Sequence, residues 1–155
     1  MVDQNLRGGE SVSGLKLDPD SMKELVIEAT IDNLDEVMDF VNLELEQCKC
    51  PPDLLNEIDL AVEEIFVNIA NYAYKPACGS AAIYISTGEE IVIRFEDTGK
   101  PYNPLEQAPP DLDKPLTERK IGGLGIFLVR QYMDNVAYKR ADGKNILTIT
   151  KKSVD

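Results

Sequence analysis

Hydrophobic and polar residues follow two different periods along the chain, and these periods predict its helices and strands. Apolar residues three or four positions apart predict amphipathic helices over about 34–45, 53–74 and 126–136. Alternating apolar and polar residues predict strands over about 23–30, 80–87, 90–97, 135–141 and 145–150. The element order β, α, α, β, β, α, β, β predicts an α/β (α+β) two-layer sandwich, a mixed β-sheet with helices on one face.

The domain organisation follows from the distribution of polar residues and glycines. Residues 1–22 are polar and rich in glycine and serine, which predicts a flexible N-terminal tail. No internal repeat or linker divides the remainder. Residues 23–155 are therefore predicted to form a single domain.

The net charge of -12, from 28 acidic and 16 basic residues, narrows the classes of function. A negative field of this size repels nucleic acid and anionic membranes, so neither is an expected partner. The chain has no apolar run that could span a bilayer and no apolar N-terminal signal segment, which predicts a cytoplasmic protein. Three cysteines, an odd number, favour free thiols in a reducing compartment. The absence of histidine excludes a Ser–His triad.

The second predicted helix carries a polar flank of unusual composition. At 100° per residue, four side chains without a basic member fall on one side: Glu57, Glu64, Asn68 and Asn71. A carboxylate and a carboxamide one turn apart, as in Glu64 and Asn68, are able to share one ligand. The other interpretation is an acidic stripe that faces solvent, and the helix alone slightly favours that interpretation.

Two segments that contain glycine are candidate ligand contacts. Asp97-Thr98-Gly99 ends a predicted strand, where such a sequence is usually a turn. Gly122-Gly123-Leu124-Gly125 precedes the third predicted helix. Glycines let the backbone approach a ligand, and a helix N-terminus favours phosphate. A plain connection before a buried helix explains this second segment equally well.

Taken together in this order, the three segments resemble the GHKL ATPase superfamily. They are most similar to one branch of it, the anti-sigma-factor serine kinases of the RsbW type. The similar stretches are Glu63-Glu64-Ile-Phe-Val-Asn68, Asp97-Thr-Gly-Lys-Pro-Tyr-Asn-Pro104 and Ile121-Gly-Gly-Leu-Gly-Ile-Phe-Leu-Val-Arg130. The resemblance extends from about Lys23 to Lys151 and implies a Bergerat-type ATP-binding fold.

The resemblance implies a role for each of the residues on the helix and the turn. Asn68 would hold Mg²⁺ through its side-chain oxygen, and Glu64 would be the general base toward the attacking hydroxyl. Asp97 would accept a hydrogen bond from the adenine amino group, and Gly99 would leave room for the base. Tyr72 stands where these kinases commonly carry histidine, and its place near the apolar stripe predicts a structural role.

The remaining implied site residues form a lid over the phosphates of ATP. The lid itself would consist of Gly122, Gly123, Leu124 and Gly125. Arg119 and Lys120 stand directly before it and are the candidates for contact with the γ-phosphate.

The resemblance thus implies a Mg-ATP-dependent protein serine/threonine kinase that is also an anti-sigma regulatory factor. Its expected partners are a STAS-domain antagonist that it phosphorylates, a sigma factor that it binds, and a second copy of itself. The alternative is an ATP-binding regulatory module that sequesters a partner without phosphoryl transfer. Glu64 favours the kinase, because a pure ATP switch needs no base at that position.

Overall fold

One antiparallel sheet carries three helices in the computed structural model, which describes residues 22–106 and 123–153. The strands are β1 (Lys23–Glu28), β2 (Ser80–Ser86), β3 (Glu90–Asp97), β4 (Asn135–Ala141) and β5 (Lys144–Lys152). The helices are α1 (Leu34–Gln47), α2 (Pro52–Tyr72) and α3 (Gly123–Tyr132). The predicted tail lies outside the described residues except for Met22, which is buried. Within the described ranges, no helix has the length and apolar character needed to cross a membrane.

The sheet differs from the predicted mixed sheet, because every neighbouring pair in the order β1-β2-β3-β5-β4 is antiparallel. The connections explain this difference. Two helices, α1 and α2, separate β1 from β2 and return the chain to the end of the sheet that it left. The single helix α3 makes β3 and β4 run in the same direction, but β5 lies between them.

The helices and the inner face of the sheet share one hydrophobic core, which confirms the two-layer sandwich. α2 is the central helix and packs against both α1 and α3. Each fully buried large apolar side chain contributes roughly 1.5–3 kcal/mol to this packing. The core residues of the sheet include Ile83, Ile85, Ile91, Ile93, Phe95 and Ile149, and those of the helices include Val37, Val41, Leu45, Ile58, Val62 and Val129.

The third helix begins and ends earlier than its sequence pattern predicts. It begins at Gly123, so Gly123 and Gly125 lie in its first turn rather than in a loop before it. It ends at Tyr132, and Val136 lies in β4 opposite Ile149. An apolar residue at this position fits both the helical stripe and the strand. Pairing with β5 decides for the strand. The first bond of this pairing runs from Asp134 N to the carbonyl of Thr150 at 2.9 Å.

Candidate nucleotide-binding site

A pocket opens where α2 and α3 meet the ends of β3 and β5. Its empty volume is about 450 Å³, which includes the solvent space at the open mouth. Three polar side chains, Asn68, Asp97 and Asn145, interrupt walls that are otherwise largely apolar. The apolar walls include Ile65, Ile69, Ala73, Phe95, Ile126 and Leu147. Such walls suit a flat ring, and the few polar groups are placed to orient it.

Asp97 is buried at the end of β3, where two hydrogen bonds hold its carboxylate. Gly99 N and Asn145 Nδ2 both donate to the same oxygen, Oδ1, each at 2.9 Å. Among the residues that the structure describes, no donor reaches Oδ2. Because Asp97 lines the pocket, Oδ2 is the oxygen available to a ligand donor.

The backbone of Gly99 lies directly against the end of α2. A Cβ at this position would overlap the carbonyl group of Ala73. The same carbonyl oxygen accepts a hydrogen bond from Lys100 N at 2.9 Å. A larger residue would push this loop away from α2 and displace Asp97 with it, so glycine has a packing reason here. Its role beside the base stays a prediction.

Glu64 and Asn68, one turn apart on α2, are hydrogen-bonded to each other through their side chains. Burial raises the pKa of Glu64 above its ordinary value, and the nearby charge of Glu63 raises it further. The hydrogen bond to Asn68 lowers the pKa of Glu64 without cancelling the rise. Glu64 therefore takes up a proton more readily than an exposed glutamate, which is what a general base requires.

The first turn of α3 packs against the carboxylate of Glu64. A Cβ at Gly125 would overlap that carboxylate, so glycine is what permits the approach. The approach brings the N-terminal end of a helix, with its unpaired N–H groups, beside the pocket. No group of three or more Cys, Asp or Glu side chains in the described ranges could hold a metal ion. A divalent ion at this place needs oxygen ligands from a bound phosphate as well.

The sequence of residues 27–151 matches the family model of the histidine kinase-like ATPase domain, and this range includes the whole pocket. The chain belongs to this family. An ATPase domain binds ATP, and the pocket between α2, β3, β5 and α3 is the candidate site for it.

Named relatives of this histidine-kinase-like ATPase domain are protein kinases. Serine/threonine-protein kinase BtrW of Bordetella bronchiseptica is 33% identical over 99 residues, which cover 62% of this chain and 69% of BtrW. Serine-protein kinase RsbW of Bacillus thuringiensis is 28% identical over 100 residues, which cover 61% of this chain and 62% of RsbW. The matched part therefore spans about two thirds of the length of these two relatives. These relatives confirm the predicted family and its enzyme class, serine/threonine protein kinase.

A solved structure supports the fold of the domain. The crystal structure of the RsbU and RsbW domains of a Mycobacterium tuberculosis protein superposes with a TM-score of 0.59 at 14% identity. The superposition covers 84% of this chain and 32% of that chain. At this low identity, the similarity concerns the fold alone.

The described site residues of this ATPase domain come from three separate segments. Glu64 and Asn68 lie on α2, Asp97 and Gly99 lie at the end of β3, and Gly125 lies in α3. Gly123 and Leu124 are the first two residues of α3. The other predicted lid and phosphate residues, Arg119, Lys120 and Gly122, lie outside the described residues.

The predicted structural role of Tyr72 is wrong. Its side chain is 51% exposed and lines the pocket, with its ring centroid 6.2 Å from that of Tyr102. The apolar stripe of α2 passes from Ile65 and Ile69 to Ala73, which is buried in its place. One position away from the stripe, Tyr72 turns toward the mouth of the pocket.

Asn145 belongs to the site although its sequence context does not reveal it. It follows Asp142-Gly143 by two residues, so from the sequence it resembles one more polar residue of a turn. In the sheet it pairs with Asp97 across β3 and β5, and it is buried. Only the register of these two strands brings the amide to the carboxylate.

Proposed function

We propose that this domain is a protein serine/threonine kinase that uses Mg-ATP, phosphorylates a STAS-domain antagonist and binds a sigma factor. The observation that carries the proposal is the bonded pair Glu64 and Asn68 beside the pocket that contains Asp97. A domain that only binds ATP needs one carboxylate, that of Asp97, to bind the adenine ring. Phosphate transfer explains a second carboxylate, that of Glu64, which lies against the first turn of α3 and interacts with the pocket residue Asn68. The kinases among its relatives support the same reaction.

The pocket binds and orients the adenine. Oδ2 of Asp97 accepts a hydrogen bond from the amino group, the apolar walls hold the ring, and Gly99 leaves the backbone close to the base. The lid from Gly122 to Gly125 wraps the phosphates, and Arg119 or Lys120 contacts the γ-phosphate.

The side chains of Asn68 and Glu64 fit a magnesium ion. The amide oxygen of Asn68 is a hard ligand, and Mg²⁺ commonly takes only one or two protein oxygens together with phosphates and water. Glu64 adds a negative charge next to that oxygen. When bound, the ion neutralises phosphate charge, which a chain of net charge -12 could not do with its own residues alone.

Glu64 carries out the proton transfer. The hydroxyl oxygen of a serine on the partner forms a bond to the γ-phosphorus while the bond from that phosphorus to ADP breaks. The hydroxyl proton passes to a carboxylate oxygen of Glu64. Gly125 keeps the first turn of α3 against this carboxylate and so helps to exclude water from it. The products are ADP and phosphoserine.

The partners complete the proposal. The antagonist supplies the serine and the sigma factor is the protein that the domain sequesters, both in the cytoplasm. Homodimerisation and a single folded unit over 23–155 are further parts of the proposal. Nucleic acid and membranes are not proposed partners, because the net charge repels both.

The test is a time course of phosphate transfer from Mg-ATP to STAS-domain proteins. We expect Glu64→Gln to slow transfer by roughly 10²–10⁴-fold, the usual contribution of a positioned base. Nucleotide and partner binding should persist, because the neutral amide has nearly the same shape.

Glu63→Gln is the matched control. It changes the neighbouring glutamate, which is exposed on the same helix, and transfer should continue at close to the parental rate. Transfer by Glu64→Gln at the parental rate would mean that Glu64 is no base. An absence of transfer by the parent itself, with partner binding that requires ATP, would favour the sequestering module.

A further inference from the structure

Asn145 uses every hydrogen-bonding position of its side chain inside the protein. Its amide nitrogen donates to Asp97 Oδ1 at 2.9 Å and to the carbonyl of Lys100 at 2.7 Å. Its oxygen accepts from Tyr102 N at 3.2 Å and from the Tyr138 hydroxyl at 2.5 Å. An asparagine side chain has two N–H donors and two acceptor lone pairs. Asn145 therefore has no position left for a direct bond to a ligand.

We propose that Asn145 is a positioning residue for adenine recognition and acts through Asp97 without touching the base. This inference rests on the proposed nucleotide site. Together with Gly99 N, the amide of Asn145 occupies Oδ1 and fixes the rotation of the carboxylate. Oδ2 is then held toward the pocket before a ligand arrives.

The same amide also positions the loop that borders the pocket. Its bonds to Lys100 and Tyr102 hold the backbone directly after Gly99, and its bond to Tyr138 ties this loop to β4. Asn145 is 7% exposed. Its bond to Asp97 is buried, and the other three bonds are partly buried.

A purely structural role explains the residue poorly. Asparagine is depleted in strands, where β-branched and aromatic residues pack better. A buried amide is also costly unless all of its groups are satisfied. An apolar residue would close the core between β3 and β5 without these demands, but it would leave only Gly99 N to hold the Asp97 carboxylate.

The test compares two nucleotides that differ only in the group that Asp97 is proposed to bind. ATP carries the 6-amino group, and purine riboside 5′-triphosphate lacks it. Calorimetry measures both affinities for the parent, Asn145→Ala, Asp97→Asn and the double variant. We expect Asn145→Ala to weaken ATP binding by about tenfold, the cost of a misplaced charge-assisted hydrogen bond. Binding of the purine nucleotide should change much less.

The double variant separates positioning from an independent effect. If Asn145 acts through Asp97, the preference for ATP over the purine nucleotide falls to the same level in Asp97→Asn and in the double variant. Asn145→Thr, which suits a strand and keeps one side-chain donor, should retain part of the preference and decides the question if Asn145→Ala does not fold. Asn33→Ala is the control. It removes a 2.9 Å amide bond to the carbonyl of Glu28, neither residue lines the pocket, and the preference should stay intact.

An unchanged preference for ATP in the Asn145 variants would overturn the inference, whether the two affinities fall equally or neither falls. An unchanged preference in those variants, with the preference lost in Asp97→Asn, would leave the proposed function standing. Because the measurement needs no phosphate transfer, a failed kinase assay would not affect it.

Discussion

Two carboxylates of α2, Asp59 and Glu64, have similar electrostatic surroundings and face different parts of the molecule. Burial raises the pKa of both, and the charge of Glu63 adds to the rise in each case. A side-chain hydrogen bond lowers the pKa of both, from Asn42 for Asp59 and from Asn68 for Glu64. Asp59 faces α1, and its Oδ1 is buried without a hydrogen-bond partner among the described residues. Glu64 faces the first turn of α3.

The difference shows that a raised pKa does not identify a functional site by itself. The partner of Asp59, Asn42 on α1, is not among the residues that line the pocket, and it donates to the carbonyl of Met38 in its own helix at 2.8 Å. Next to Glu64, the partner Asn68 lines the pocket, and Gly125 leaves space for the carboxylate. α2 thus has a packing side around Asp59 and a chemical side around Glu64. The residues that α1 and α3 place against these two sides distinguish them.

Truncation of the two asparagines should separate these sides most strongly. Asn68→Ala removes the proposed ligand of Mg²⁺ and should lower phosphate transfer by at least about 10²-fold, because electrostatic stabilisation of the transition state is lost. It should also weaken Mg-ATP binding. Asn42→Ala should leave both unchanged. The rate of phosphoserine formation and calorimetric Mg-ATP titrations check this prediction, and a similar loss in both variants would contradict it.

A methyl group placed at Gly125 tests the chemical side alone. Gly125→Ala should force the Glu64 carboxylate or the first turn of α3 to move, because its Cβ would overlap the carboxylate. We expect a loss in transfer rate of roughly 10- to 100-fold, typical of a small misplacement of a reacting group. In a double-mutant cycle, Gly125→Ala should cost little more in the Glu64→Gln background. Additive losses would show that Gly125 acts elsewhere.

In thermal stability, the two carboxylates should behave alike. A carboxyl group whose pKa is raised on folding binds its proton more tightly in the folded state. Stability therefore falls as pH rises from the unfolded pKa to the folded pKa, and it stays lower above that window. Asp59→Asn and Glu64→Gln should each remove this fall and raise the Tm at neutral pH. The gain should disappear below the ordinary pKa of the carboxyl group.

This effect is the smallest of the three, because both groups are partly exposed and solvent screens them. A gain below about 1 kcal/mol corresponds to less than about 2–4 °C in Tm for a chain of this length. Melting curves of the empty proteins between acid and neutral pH check it. A lower Tm for Glu64→Gln at neutral pH would show that the glutamate stabilises the fold rather than costing it stability.

The sequence alone predicts the part of the site that lies on α2. Glu64 and Asn68 share a flank because four residues make about one turn, and this relation needs nothing beyond the helix itself. The apolar stripe of α2, the strand that ends at Asp97 and the hairpin at Asp142-Gly143 are equally local. Asp142 and Gly143 have φ values of 54° and 76°, as a type I′ turn requires.

The tertiary structure decides every relation that crosses between elements. Asn145 meets Asp97 over a separation of 48 residues because β5 pairs with β3 in one register, and a shift by one residue would turn the amide to the opposite face. Gly125 reaches Glu64 only because α3 packs on α2. The antiparallel sheet depends likewise on β5 lying between β3 and β4. Hydrophobic periodicity reports which face of an element is buried, but it carries no information about which element covers that face.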